Sequence, residues 1–431
     1  MNACVFVLLI TESRGYRREL MSMRLSVACN FESEPAARLA AFPEVREVYG
    51  RLTKDAAGTT AGVDSVFAGD ADLRCAVRDA HDHGLFFCYV LEGDEVESSI
   101  PLASDSRALR RVLDYITDLG IDRVSLSSLS LLSFVKSNYP ELSVHAGLGA
   151  RIDDPHTAYL WADMGADSLC LSATACNRDF ARLAAIREAV ACDLQLTVDM
   201  ACPPSSVYGA VYSDGFAPHG ENIEAHECSA GRCRKWYAER LRYPVNFIRA
   251  VWIRPEDLCF YEDIGYTHFR ISIVNSPTEL LLQRVEAYAK RRFEGNLLDI
   301  VGPANRAAGY EEPGPLQRLP MARALFRIAQ AKTGPEYVAT DNSDAALADN
   351  SEHEQASAYI DNAGLRGFLK GMPGHNCVRG RCGRCGYCHR WAAETVEIEN
   401  TSQDHAFAHT DPSPGERGEG VPVPEIQATV Q

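Results

Sequence analysis

Four cysteines fall inside one short stretch, CVRGRCGRCGYCHRW, from Cys377 to Trp391. Cys377, Cys382, Cys385 and Cys388 are spaced C-x4-C-x2-C-x2-C. Thiolates this close in sequence can share one metal centre. A structural zinc site usually draws on two separated C-x2-C knuckles that approach the metal from opposite sides. Three cysteines at intervals of three follow instead the ferredoxin-type run, which favours an iron–sulfur cluster and leaves zinc as the alternative. His389, beside the last cysteine, reads as an exposed neighbour rather than a fifth ligand.

A quieter group lies upstream. Cys202, Cys228 and Cys233 share one polar loop, and three converging thiolates can hold iron–sulfur or zinc. A fourth ligand is then needed, and Cys176 and Cys29 are the candidates, because each follows a predicted strand at the same end. Cys75, Cys88, Cys170 and Cys192 read as small buried hydrophobes. The chain has 15 cysteines in 431 residues, and disulfide frameworks belong to short secreted domains, so reduced thiols and metal ligation are the better reading. Around the loop group stand Arg232, Arg234, Lys235, Arg240, Arg242, Arg249 and Arg254, a local reversal of sign in a chain of net charge −16. They form either a solvated helical face or an anion pocket for a carboxylate or phosphate.

The elements that must position these groups alternate between two periods. Short β-rich runs occur at Leu25–Ala28, Val45–Tyr49, Leu85–Leu91, Val124–Ser127, Leu142–Ala146, Ser168–Leu171, Leu194–Val198 and Phe269–Ile273. Helical patterns separate most of them. Leu109, Val112, Leu113, Ile116 and Leu119 share one face, closed by Gly120 at a position that needs positive φ. Phe180, Leu183, Ile186 and Val190 repeat the pattern after an expected Asn177 cap. Ser276-Pro-Thr-Glu279 reads as a capping box with proline at N1, ahead of Leu281, Val285 and Tyr288. Strand and helix repeated eight times predict a (β/α)8 TIM-like barrel over residues 23–301, and no glycine fingerprint follows the first strand to favour a doubly wound sheet. The loop Ala201–Trp252 after strand seven is too long for an ordinary connection and carries the three cysteines at the barrel's functional end.

Met1–Ser22 reads as an extension outside the fold. Residues 302–358 are expected to form an irregular segment with an acidic linker, and Tyr359–Leu369 a short helix leading into a cysteine-rich segment, 359–396. Residues 397–431 read as a disordered tail. The apolar run Ala3–Ile10 lacks the flanks of a secretory signal and is too short to span a bilayer, so a cytoplasmic protein is expected. The acidic balance argues against non-specific nucleic-acid binding. No Walker loop, G-x-S-x-G elbow or H-E-x-x-H motif is present. Asn30, Tyr49 and His145 fall near predicted strand ends, where barrel enzymes carry catalytic residues.

MRLSVACNFES with FPEVREVYGRL, then YPVNFIRAVWIRPEDL, FEGNLLDIV and YIDNAGLRGFLKGMPGHNCVRGRCGRCGYCHRWA, resemble the collagenase-like peptidase family U32 over most of Met23–Glu394. That resemblance implies a barrel fold and one of two activities. Some family members are described as proteases. Others are iron–sulfur proteins of oxygen-independent hydroxylation, with prephenate implicated as oxygen donor, and some act with a partner subunit. In that branch a barrel loop with four cysteines holds a 4Fe–4S cluster, and Cys202, Cys228 and Cys233 match that loop by position. Many relatives carry a further cysteine where this chain has Ser206, so either Cys176 or Cys29 completes the set or one iron stays open. The expectation is an iron–sulfur redox enzyme, with a peptidase or a non-catalytic partner subunit as alternatives.

Overall fold

The computed structural model describes residues 22–32, 35–52, 54–55, 58–59, 69–92, 106–202, 204, 240–272, 277–302, 356–372 and 385–400. Eight parallel strands close into a barrel: β1 Arg24–Ala28, β2 Val45–Gly50, β3 Phe86–Leu91, β4 Arg123–Leu126, β5 Ser143–Ala146, β6 Ser168–Cys170, β7 Asp193–Thr197 and β8 His268–Ile271. Each pairs with its neighbours in chain order, and β8 closes onto β1 through Arg24↔His268 to Val27↔Ile271. The predicted (β/α)8 architecture is therefore present, with every predicted strand in place.

The helices of the outer ring are α1 Pro35–Leu39, α2 Asp70–Asp82, α3 Ser106–Asp118, α4 Leu129–Asn138, α5 Pro155–Asp163, α6 Ala173–Cys176, α7 Phe180–Ala189, α8 Val245–Arg249, α9 Leu258–Glu262 and α10 Thr278–Ala289. Local chemistry sets several ends. Asp154 accepts the backbone N–H groups of His156 and Thr157, and Pro155 opens α5. Leu109, Val112, Leu113 and Ile116 bury one face of α3, and Gly120 follows at φ +75°. Two expected caps differ. Asp179, not Asn177, caps α7 by accepting from Arg182 N, because Asn177 is drawn inward to other partners. At the second, Pro277 precedes α10 rather than opening it: the helix starts at Thr278, Glu32 accepts the Thr278 N–H, and Ser276 of the expected box lies outside the described residues.

The strands divide by alternation. Leu25, Val27, Val124, Leu126, Val144, Leu169, Leu194, Leu196 and Phe269 face outward into the one large apolar core beneath the helices. The intervening residues line the lumen, and they are mostly polar: Ser26, Glu47, Ser125, His145, Ser168, Gln195, Thr197, His268 and Arg270 are all buried. Ser26 on β1 meets Gln195 on β7, and Glu47 on β2 meets Arg123 on β4, each pair reaching past an intervening strand. The lumen thus departs from the branched apolar layers usual in this fold.

Beyond the barrel, β9 Ala356–Ile360 pairs antiparallel with β10 Val396–Asn400. Between them lie α11 Phe368–Gly371 and α12 Tyr387–Thr395. The expected helix over Tyr359–Leu369 is therefore a strand followed by turns and a one-turn helix, and β10 occupies residues expected to open the tail. Val396-Glu-Ile-Glu399 alternates apolar and acidic residues, a strand pattern that needs the distant partner β9 to form. Asn296 fastens this two-stranded sheet to the barrel, donating to Ala358 O at 3.0 Å and accepting from Ile360 N at 2.9 Å. Among the described residues no helix is long and apolar enough to cross a membrane.

Candidate active site at the barrel mouth

The chain leaving β7 runs on as an arm, Val198–Cys202, across the C-terminal end of the barrel. Val198 N donates to Arg270 O at 3.0 Å, and Ile253 N donates to Val198 O at 2.8 Å. Val251 N donates to Cys202 O at 2.8 Å, and Arg240 donates to Ala201 O. The arm is thus held between β8 and the strand-like return of the long insertion. Asn177 stitches the same return to β7, donating to both Thr197 O and Val251 O at 2.8 Å.

Two carboxylates at this end were not singled out from the sequence. Asp199 is fully buried and accepts from the backbone and hydroxyl of Ser272 at 2.8–3.0 Å. Burial pushes its carboxyl up, against the charge of Arg284 3.8 Å away. Glu92 follows β3 and accepts from Ser125 Oγ at 2.6 Å and Gly149 N at 2.9 Å. Gly147 makes room for it: a Cβ there would stand 1.8 Å from Glu92 Oε1. Both carboxylates continue the inward alternation, through Gln195, Thr197 and Asp199 and through Cys88, Val90 and Glu92. That register was the available signal.

The three predicted catalytic residues occupy separate environments. Asn30 donates to Thr278 Oγ1 at 2.9 Å and so braces α10. Tyr49 donates to Ile271 O at 2.9 Å, with the Arg270 guanidinium 4.0 Å from its ring centroid. His145 lies in mid-lumen on β5, which stands across the barrel from β1. Its Nδ1 and Ser168 Oγ are 2.8 Å apart, while Nε2 is buried with no hydrogen-bond partner among the described residues. Burial first, then the charge of Arg123, holds the imidazole well below the ordinary histidine range, so it is neutral at neutral pH.

Lower in the lumen, Asp193 Oδ2 is 2.8 Å from His268 Nδ1, and His268 Nε2 is 2.7 Å from Ser26 Oγ. The connectivity is that of a Ser-His-Asp triad. The location is not. Ser26 is fully buried, its hydroxyl also contacts Glu47 and Gln195, and His268 and Asp193 open their strands at the barrel's N-terminal end.

The cysteines separate clearly. Cys202 is half-buried at the mouth, packed beside Ala173, Met200 and Val251. Cys176 is fully buried in the main core, where its Sγ faces Ile152 O at 3.9 Å and burial pushes its thiol up. That setting is one a core thiol also takes. Burial likewise pushes the Cys29 thiol up to about 12. Cys202 fits a ligand role, being accessible and fixed by its own backbone. Cys228, Cys233, Cys377 and Cys382 lie outside the described residues, Cys388 sits in the first turn of α12, and Cys385 lies two residues ahead of that helix. Among the described residues no group of three or more metal-ligating side chains forms.

The basic group resolves into structure. Arg240 and Arg254 are buried, the latter facing Glu256 at 3.2 Å and Asp257 at 3.8 Å, so neither belongs to a solvated face. Arg249 donates to His389 Nε2 at 3.0 Å. Arg232, Arg234 and Lys235 lie outside the described residues.

Residues 61–265 match the sequence model of peptidase family U32. The chain is thus similar to U32 peptidases over just under half of its length. An uncharacterized protease of Methanocaldococcus jannaschii is 25% identical over 232 residues, covering 53% of this chain and 68% of that protein. A solved U32 peptidase is 19% identical, with a TM-score of 0.41 over 59% of this chain and 93% of its own. The YdjI aldolase from Escherichia coli K12 is 12% identical, with a TM-score of 0.35 over 72% of this chain and 90% of its own. The U32 match takes in β3 to β7 together with Cys202, Cys228 and Cys233, and it stops before β8 and the C-terminal cysteines.

Proposed function

We infer that this U32-family chain is an iron–sulfur protein that works in oxygen-independent hydroxylation or a related redox reaction, with a 4Fe–4S cluster at the barrel mouth. The observation that carries this reading is the setting of Cys202: a half-buried thiol at the functional end of the barrel, on an arm fixed from both sides. Cys202, Cys228 and Cys233 would hold the cluster. The fourth position is left to Cys176, Cys29, another residue or a substrate. Such a cluster supplies electrons or a Lewis-acid iron to a bound substrate. Beneath the mouth, the buried Asp199 and Arg270, the latter stacked on Tyr49, and Glu92 at the end of β3 carry both charge signs. A small carboxylate such as prephenate suits an arginine of that kind. Cys377, Cys382, Cys385 and Cys388 would hold a second cluster, with zinc as the alternative. A cytoplasmic setting and a family-related partner subunit belong to the same reading.

A second reading, a peptidase of unassigned mechanism, is favoured by the family match and by the relative's description as a protease. Ser26 does not supply its nucleophile, because no peptide reaches a saturated hydroxyl inside the lumen.

Anaerobic purification followed by iron, sulfide and zinc analysis tests the two. About eight irons per chain are expected for two 4Fe–4S clusters. Cys202→Ala should remove about half of that iron and all turnover while the barrel stays folded. Zinc without labile sulfide would sink the redox reading, and peptide cleavage that survives iron removal would establish the other.

A further inference from the structure

Three successive residues of the insertion's return carry three different contacts. Ala250 O accepts from Arg178, at 2.8 Å from the terminal nitrogen. Val251 N donates to Cys202 O. Trp252 packs its ring 5.8 Å from that of Phe368 on α11. Phe368 is fully buried, and its ring also meets Tyr387 at 5.6 Å and Trp391 at 5.7 Å, both on α12. The Arg178 guanidinium lies 4.4 Å from the Trp252 centroid and 5.1 Å from that of Phe368. A buried cation against two rings is a strong and directional contact. At the outer edge, α8 packs on α12, and Arg249 reaches His389, the residue next to Cys388.

We propose that the C-terminal segment is a clamp that positions Cys202, acting through Phe368, Arg178 and the Ala250–Trp252 return. The cysteine-rich segment is then not an appendage. It completes the wall against which the Cys202 arm is fixed, and the path from the Phe368 ring to the Cys202 backbone has two steps, Trp252 and Val251. Phe368, Arg178 and Arg249 are positioning residues, since none is placed against substrate. α12 carries both Cys388 and the contact to α8, so order at the C-terminal motif and order at Cys202 are mechanically linked. This rests on the reading of Cys202 as a cluster ligand, although the clamp itself is testable without any cluster.

The experiment uses the full chain with iron removed. Hydrogen exchange at the Val251 amide and alkylation of Cys202 by iodoacetamide are both followed by peptide mass spectrometry. Phe368→Ala should speed both by about tenfold or more, as a local opening, while Val144 and Leu169 in the barrel keep their protection. Arg249→Ala, at the half-buried end of α8, should move both readouts the same way by less. If β9 amides open in Phe368→Ala while Val251 and Cys202 stay as in wild type, the clamp is refuted. Should Phe368→Ala unfold the barrel, Arg249→Ala decides, and an unchanged Cys202 there overturns the proposal. The iron content of the wild-type protein reports separately on the cluster reading.

Discussion

His145 offers a clean measurement of how the polar lumen behaves. Its imidazole is 2% exposed, and burial with the nearby Arg123 guanidinium keeps it neutral well below the ordinary range. In the unfolded chain the same side chain titrates near about 6.5. Below that pH the unfolded state binds a proton that the folded state refuses, so the unfolded state gains. The folded value is depressed, and the contribution is therefore fully present above about pH 6.5 and is lost as pH falls toward the folded value. One proton taken up only by the unfolded chain between pH 7.5 and 5.5 costs about 1.4 kcal/mol. His145→Asn keeps a hydrogen-bonding partner for Ser168 and does not titrate. Urea unfolding of both proteins, iron-free, at the two pH values should show wild type losing about 1.4 kcal/mol more than the variant. A constant offset from altered packing is expected and does not matter, because only the difference in slope reports the proton. Asp193 does not interfere. Burial opposes its charge, but the His268 hydrogen bond and the His268 and Arg24 charges win and hold it low, so its loss falls in the window below about pH 4. Parallel stability curves for wild type and variant would refute the argument.

Gly147→Ala should destabilise the barrel by about 1–3 kcal/mol, because the new Cβ displaces the Glu92 carboxylate from Ser125 and Gly149. Urea unfolding checks this, and adding Glu92→Ala should recover part of the loss. Arg284→Leu removes the guanidinium that faces buried Asp199 and should cost about 3–5 kcal/mol near pH 8. The loss should shrink as pH falls, because the Asp199 carboxyl, already raised by burial, takes up its proton sooner than an ordinary carboxylate, and a loss independent of pH would count against the pairing.

Much of this fold is legible in the letters. Eight short runs and the helical faces between them set the barrel, because burial against a ring of helices demands apolar residues at those spacings. The lumen was legible but not read. Ser26, Glu47, Ser125, His145, Ser168, Gln195 and His268 stand at alternate positions in their strands, and treating parallel strands as continuous apolar runs hides that second face. Other features are not encoded locally. Asn177 and Asp179 are equally good cap formers by type, and only the distant carbonyls of Thr197 and Val251 draw Asn177 inward. Cys176 and Ala173 share one turn of α6, yet Ala173 packs beside Cys202 and Cys176 turns into the main core. Spacing alone cannot choose between those sides. The strand at Val396–Asn400 likewise forms against a partner some forty residues earlier, beyond the reach of any short window.

The Ser26–His268–Asp193 link shows why connectivity and chemistry must be weighed separately. A serine hydroxyl has one proton to give and two lone pairs to offer. Ser26 faces Glu47 at 2.8 Å, His268 at 2.7 Å and Gln195 at 3.0 Å, so all of that capacity is spent inside the protein. A nucleophile needs the opposite: a lone pair with an open approach and donors waiting for the oxyanion. Here the hydroxyl joins β1, β2, β7 and β8 at one point, and Arg24 and Arg123 close the lower rim by pairing with Asp193 and Glu47. A polar lumen built this way is costly to break. Among the described residues, the better-placed group for chemistry is therefore at the other end, where half-buried Cys202 sits on the arm held by the return of the long insertion.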